Sequence, residues 1–199
     1  GRFEVTMKHR FPRNPFSDVT LQARFTSDDS SCVVRGFYDG NDRFTIRFMP
    51  PRTGIWHFVT SSNVPELDKQ RGSFECVEAT GDNHGMVRVR NTHDFAYSDG
   101  KPYYPFGTTA YGWMHADRDR RDETLNALKS SGFNKVRMCI FPHSTMTPEL
   151  FPFARWEGRL DPSGPEREAW DFTQFNPLFF QRLEKLVQDL SHCGIEADL

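Results

Sequence analysis

Gly132-Phe133-Asn134-Lys135-Val136-Arg137-Met138-Cys139-Ile140-Phe141-Pro142-His143 reads as the end of a helix, a tight turn and a short buried strand. Glycine suits the left-handed residue that closes a helix. Val136, Met138 and Ile140 then alternate with Arg137, Cys139 and Phe141, and charge falls only on Lys135 and Arg137. A strand apolar at nearly every position is expected to be covered on both faces, as in a parallel sheet flanked by helices. Arg137 is the exception in the run. A guanidinium keeps its charge, so burial would require a carboxylate partner, and a structural ion pair is the plainest role.

On either side the chain repeats this strand–helix grammar. Upstream, Phe95 to Tyr104 carries Asp99-Gly100 as the two-residue turn of a hairpin. Tyr104-Pro105-Phe106-Gly107-Thr108 follows as a first strand, with the loop Thr109 to His115 after it. Asp122 is expected to cap a helix with Leu125, Ala127 and Leu128 on one face, ending at Ser131-Gly132. Downstream, the connection from Pro142 to Phe175 is long and holds Phe151, Phe153, Trp156, Trp170 and several prolines, without a useful helical or strand period. Loops of this length in compact domains are usually functional or disordered. Asn176-Pro177 then opens a strong helix with Phe179, Leu183, Leu186, Val187 and Leu190 as its stripe, and Gly194 follows it. Ile195 to Leu199 begins a third strand. Two strand–helix units in succession predict a parallel sheet with its ligand face at the C-terminal ends of the strands. A chain ending inside a strand leaves an open edge, so these residues are expected to be part of a longer protein.

The first half follows period two. Between Phe16 and about Val89, Val19, Leu21, Ala23 and Phe25 alternate with polar residues, as do Phe44, Ile46 and Phe48. Trp56 and Phe58 follow the Pro50 to Gly54 turn, and further strands are expected at Cys32–Phe37, Ser73–Glu78 and Met86–Arg90. This spacing predicts an immunoglobulin-like antiparallel β-sandwich over residues 1–90. Asp39-Gly40-Asn41-Asp42 lacks the ligand series of a calcium loop and reads as a hairpin turn. Trp56 is expected in the core, although with Phe37 and Tyr38 it could form a sugar platform.

The 199 residues carry a net charge of -2, with 19 Phe and 4 Trp. No basic balance points to nucleic acid or an anionic membrane, and no run of about 18 apolar residues suggests a span. Cys32, Cys76, Cys139 and Cys193 form no CxxC pair and read as free thiols, with Cys32–Cys76 the one pairing worth checking. Free thiols and the lack of a hydrophobic signal core favour the cytoplasm over secretion, although a signal could have been removed.

Asn14-Pro15-Phe16-Ser17-Asp18-Val19, Gly36 to Gly40, Arg47-Phe48-Met49-Pro50 and Gly54-Ile55-Trp56 resemble the N-terminal sandwich of a group of bacterial glycoside hydrolases. In many of them that sandwich is known only as a domain of unknown function. Asn83-His84-Gly85, Phe106 to Tyr111, Phe133 to Pro142, Phe175-Asn176-Pro177 and Gly194 to Leu199 look like the start of the same proteins' (β/α)8 barrel. The resemblance implies a fold of two parts, the sandwich and then the first β/α units of an incomplete TIM barrel over 91–199, cut in its third strand.

It also implies a retaining clan A glycosidase, acting on plant-derived oligo- or polysaccharide through two carboxyls flanking the glycosidic bond. Those carboxylates would follow the fourth and seventh strands, so no catalytic pair lies in this chain, which is expected to be inert alone. Arg137 matches the second-strand arginine that holds the nucleophile in such barrels. Tyr111, Trp113, His115, His143 and Asp198 become candidate substrate contacts, with loop packing the plainer role for the aromatics and a structural role for Asp198. His115 and His143 fit no metal spacing, and the chemistry needs neither metal nor organic cofactor. Relatives tend to carry a lysine where His143 stands and a tyrosine- and asparagine-rich run after it. Here Ser144 to Glu149 replaces that run, which leaves the sugar open. A non-catalytic carbohydrate-binding or structural module is the alternative reading, and the oligomeric state stays open.

Overall fold

The computed structural model describes residues 2–81, 83–143, 146, 148–155 and 170–199. Trp156, Ser144, Thr145 and Thr147 lie outside the described residues. The chain divides into two compact units, Gly1–Met86 and Val87–Leu199.

The first unit holds β1 (Phe3–Lys8), β2 (Leu21–Ser27), β3 (Ser30–Arg35), β4 (Phe37–Tyr38), β5 (Arg43–Phe48), β6 (Gly54–Ser62) and β7 (Arg71–Cys76). They form two antiparallel sheets, ordered β1-β5-β4 and β3-β2-β6-β7. Period-two alternation puts Leu21, Ala23 and Phe25 of β2, Phe44, Ile46 and Phe48 of β5, and Trp56 and Phe58 of β6 into one shared core. Phe25 is fully buried and stacks on Phe48 at 4.2 Å between centroids, and Phe3 stacks on Phe74 at 3.8 Å. Full burial of a ring such as Phe25 contributes about 1.5–3 kcal/mol. The chain passes from one sheet to the other at Gly36. A Cβ there would stand 2.7 Å from Leu21 Cδ2 and 2.8 Å from Ile46 Cγ1, so a larger residue would have to displace core side chains.

Two details differ from the sequence reading. β1 precedes the alternation that begins at Phe16, and its Phe3, Val5 and Met7 pack on the core. The strand expected at Met86–Arg90 pairs with a second-unit strand instead. Trp56 is a core residue, 1% exposed, and its indole N–H donates to Arg52 O at 3.1 Å. The Asp39 to Asp42 segment is a hairpin turn between β4 and β5, with Gly40, Asn41 and Asp42 all at positive φ. All four cysteines are free.

The second unit opens with an antiparallel sheet ordered β10-β9-β8, made of β8 (Val87–Arg90), β9 (Asp94–Tyr97) and β10 (Pro102–Tyr103), with Asp99-Gly100 in the turn. Next come β11 (Gly107–Thr109), α1 (Arg118–Ser130), β12 (Lys135–Arg137), β13 (Phe153–Arg155), β14 (Trp170–Phe175), α2 (Pro177–His192) and β15 (Glu196–Asp198). β11, β12 and β15 form a parallel sheet in that order, with Gly107, Lys135 and Glu196 in one register row and Thr109, Arg137 and Asp198 in another. Val136, Met138, Leu128, Phe179, Leu183, Leu186, Leu190 and Ile195 bury the side that faces the helices. Asn176 Oδ1 accepts from Leu178 N ahead of Pro177, as the sequence predicts.

α1 starts five residues earlier than expected. Asp117, not Asp122, caps it, its Oδ1 accepting from Arg120 N at 2.8 Å. Ala127, read as part of the buried stripe, is exposed. The long connection after β12 is also not period-free. β13 and β14 pair antiparallel within it, with a register shift between Phe153 and Ala154.

Candidate functional site

Short strands need help to stay aligned, and Asn134 supplies it at the start of the parallel sheet. Its Oδ1 accepts from Phe106 N at 2.7 Å, and its Nδ2 donates to Tyr104 O at 2.7 Å. Its own carbonyl accepts from Glu196 N at 2.9 Å, which ties all three strands to one residue. Gly107 completes the fit, since a Cβ there would meet Lys135 O at 2.7 Å. At the same end, the buried Tyr103 hydroxyl donates to Glu196 Oε2 at 2.6 Å, and burial together with that carboxylate pushes the phenol well above its usual pKa. Nothing in the sequence signalled Asn134. Its partners Phe106, Tyr104 and Glu196 are all distant in sequence, the nearer two 28 and 30 positions away.

At the opposite end, the backbone ladder continues past the strands. Ala110 N donates to Arg137 O, Met138 N to Asp198 O, and Cys139 N to Tyr111 O at 3.2 Å. This brings Arg137, Asp198 and Tyr111 together. Arg137 Nε donates to Asp198 Oδ2 at 2.9 Å. The Asp198 hydrogen bond and charge raise the guanidinium pKa above its ordinary value, with Tyr111 adding in the same direction.

Arg137 is not buried. Its side chain is 60% exposed and that of Asp198 29%. The apolar run was expected to be covered on both faces, but alternation sends Val136 and Met138 toward the helices and leaves Arg137 on the other face, with Phe141 also exposed. A continuous apolar stretch does not reveal which faces have a cover. Asp198 pairs with this arginine at the surface, where no core burial demands a partner.

The loop after β11 folds inward. Trp113 is 3% exposed, and its indole N–H donates to Arg121 O at 2.9 Å. It therefore packs the loop base instead of offering an open stacking face, contrary to the substrate-binding expectation. His115 is also buried, with Nε2 3.3 Å from Cys139 O. A carbonyl only accepts, so Nε2 carries the proton in that bond. Desolvation lowers the His115 pKa, and the backbone at Cys139 and Ile140 opposes it more weakly. Its ring lies against Phe179. Tyr111 remains half exposed. His143 is exposed, and its backbone N–H donates to Met146 Sδ at 3.4 Å.

A cavity of about 570 Å³ is walled by Tyr111, Trp113, His115, Asp117, Arg120 and Glu149, among others. Arg137, Asp198 and His143 do not line it. The sequence candidates thus include Arg137, Asp198 and Tyr111 together, and Trp113 and His115 in the cavity wall beside Tyr111, while His143 does not line that wall. Among the described residues no cluster of three or more His, Cys, Asp or Glu could hold a metal ion. Among the described residues no helix is long and apolar enough to cross a membrane.

Residues 1–63 match a family described as a domain of unknown function, DUF5060. Over its full length the chain is similar to the crystal structure of a "putative glycoside hydrolase" from Bacteroides vulgatus, with 46% identity and a TM-score of 0.92. The chain spans 39% of that protein's length. Two further structures, a glycoside hydrolase family 5 protein from Bacteroides vulgatus and one described simply as a glycoside hydrolase, align over 58% of the chain. They cover 24% and 25% of those proteins, at 14% and 12% identity and a TM-score of 0.41 each, which is too slight a likeness to carry an argument. No curated protein sequence matches.

Proposed function

We propose that this chain is the N-terminal part of a glycoside hydrolase. The first unit is an immunoglobulin-like accessory sandwich, and the second provides the opening strands of a (β/α)8 barrel. The observation that carries the reading is the Arg137–Asp198 pair at the C-terminal ends of adjacent parallel strands, Nε to Oδ2 at 2.9 Å, with Tyr111 beside it. The 46% identity to a longer Bacteroides vulgatus protein along the whole chain supports it. Burial of Arg137 does not, because that side chain is open.

The chemistry follows from the geometry. Asp198 holds Nε and thereby fixes the plane of the guanidinium, leaving the terminal nitrogens to receive a carboxylate. A cation in that position keeps a nucleophilic carboxylate ionised and aimed at the anomeric carbon. The two carboxyls of a retaining mechanism would come from outside residues 1–199, and a plant-derived oligo- or polysaccharide would be cleaved between them. Tyr111 would contact sugar hydroxyls at the rim.

The test compares this chain with a protein extended to the length of its Bacteroides relative, using aryl glycosides. The chain alone should be inert and the longer protein active with net retention, followed by NMR of the first-formed anomer. Arg137→Lys in the longer protein should lower kcat by about 10²-fold, the scale of a small misplacement, with KM little changed. Turnover by the short chain, or an unchanged kcat in the variant, would overturn the reading.

A further inference from the structure

The two sheets of the first unit treat arginine differently. On the outer face of β1-β5-β4, Arg47 Nε binds Glu4 Oε2 at 2.7 Å and Arg43 lies 3.5 Å from Asp39. On the outer face of β3-β2-β6-β7, Arg24, Arg35 and Arg71 are all exposed. Among the described residues none of the three forms an ion pair with a carboxylate, and Arg24 has a long contact of 3.5 Å to Ser31 Oγ.

Register places these arginines on one flat surface. Arg35 sits opposite Gln22, which sits opposite Ser61. In the next row Val33, Arg24, Val59 and Arg71 cross all four strands. Arg24 and Arg71 stand two strand spacings apart, roughly 9–10 Å. Glu75, opposite Ile55 at the other end of β6, is the one carboxylate on these outward rows. The nearby Asp18 and Asp68 are already engaged, by Arg13 at 3.6 Å and by Ser62 N at 3.0 Å. Asp28 and Asp29 are exposed in the β2–β3 turn at the other end of the sheet, so the positive charge is local to the rows through Gln22 and Arg24, in a chain whose overall charge is -2.

The geometry points to this face as a binding surface for a carboxylate-bearing polysaccharide. A guanidinium recognises a carboxylate through paired N–H donors, and a row of them suits an extended chain with repeating acidic groups. Val33 and Val59, 47% and 39% exposed, supply flat apolar area between the arginines for the CH faces of sugar rings. Gln22, Ser61 and Ser73 add partners for hydroxyls. The choice of a glycan over another polyanion rests on the glycoside hydrolase reading; the binding itself does not require that reading to hold.

The experiment is affinity electrophoresis of the 199-residue chain in gels containing polygalacturonate, its methyl-esterified form or a neutral galactan. The chain should be retarded by polygalacturonate alone, and less so as salt rises. Replacing Arg24, Arg35 and Arg71 together by Gln should weaken that binding by about 10- to 100-fold, while Arg43→Gln with Arg47→Gln should leave it unchanged. The substituted positions are exposed, and circular dichroism checks that the variants stay folded. Lack of retardation, equal retardation by the neutral glycan, or an unaffected triple variant would overturn the proposal. Equal binding to duplex DNA or to phosphatidylserine vesicles would overturn the assignment to a glycan. No turnover is measured, so failure here leaves the glycosidase reading to its own assay.

Discussion

The first unit is packed; the second is pinned. In the first, two sheets meet through a ring cluster of Phe3, Phe25, Phe48, Phe58 and Phe74, so its order comes from side-chain volume. In the second, three strands of three residues each are located by a glycine, an asparagine and capped helices. Charge divides by sheet instead of by unit, and the four-stranded sheet of the first unit stands apart. On the parallel sheet Lys135 is in register with Glu196 and Arg137 with Asp198, whereas the arginines on the four-stranded sheet face Gln22, Val33 and Val59. Balanced charge marks a surface arranged around its own fold, and unbalanced charge marks one arranged for something else.

The contrast breaks most severely at Phe25. Phe25→Ala should destabilise the first unit by about 3–5 kcal/mol, because a fully buried ring is lost from the centre of the cluster. Thermal unfolding followed by near-ultraviolet circular dichroism measures it, and a loss under 1 kcal/mol would mean the rings are not what holds the sheets. Gly107→Ala tests the pinned unit. Its Cβ would press on the Lys135 carbonyl, a backbone atom with little freedom to move, at a cost of about 1–3 kcal/mol. An unchanged midpoint in urea would show that the strands slide more freely than their geometry suggests.

The smallest effect is one of pH and concerns the second unit. The folded His115 pKa lies below its unfolded value of 6.5, so the unfolded chain takes up the proton first on acidification. Stability from this group is whole above pH 6.5 and declines as pH falls through the lower folded pKa. Melting temperatures between pH 7.5 and 5 should show this, and His115→Gln should flatten the profile. A steeper profile in the variant would contradict it.

Much of the fold was legible because its signals are local. The alternation through β2, β5 and β6 and the Asn176-Pro177 opening of α2 each depend on neighbours in sequence. The start of α1 misled because Asp117, Asp119 and Asp122 are all acidic while the apolar stripe begins only at Leu125. The candidate site was legible in composition but not in direction. Arg137, Asp198 and Tyr111 do converge, yet nothing local says that Arg137 faces outward or that Trp113 turns inward to reach Arg121. Asn134 was hidden for a related reason, since its role exists only once Tyr104 and Phe106 lie beside it.

Each ladder of the parallel sheet joins residues that the chain separates by a whole crossover, as with Arg137 and Asp198, 61 positions apart. Closing such distances spends chain entropy before any hydrogen bond returns it, and three-residue strands return little. Loop closure is least costly once α1 and α2 are packed onto Val136 and Met138, so the pairing that aligns Arg137 is expected to form after that packing.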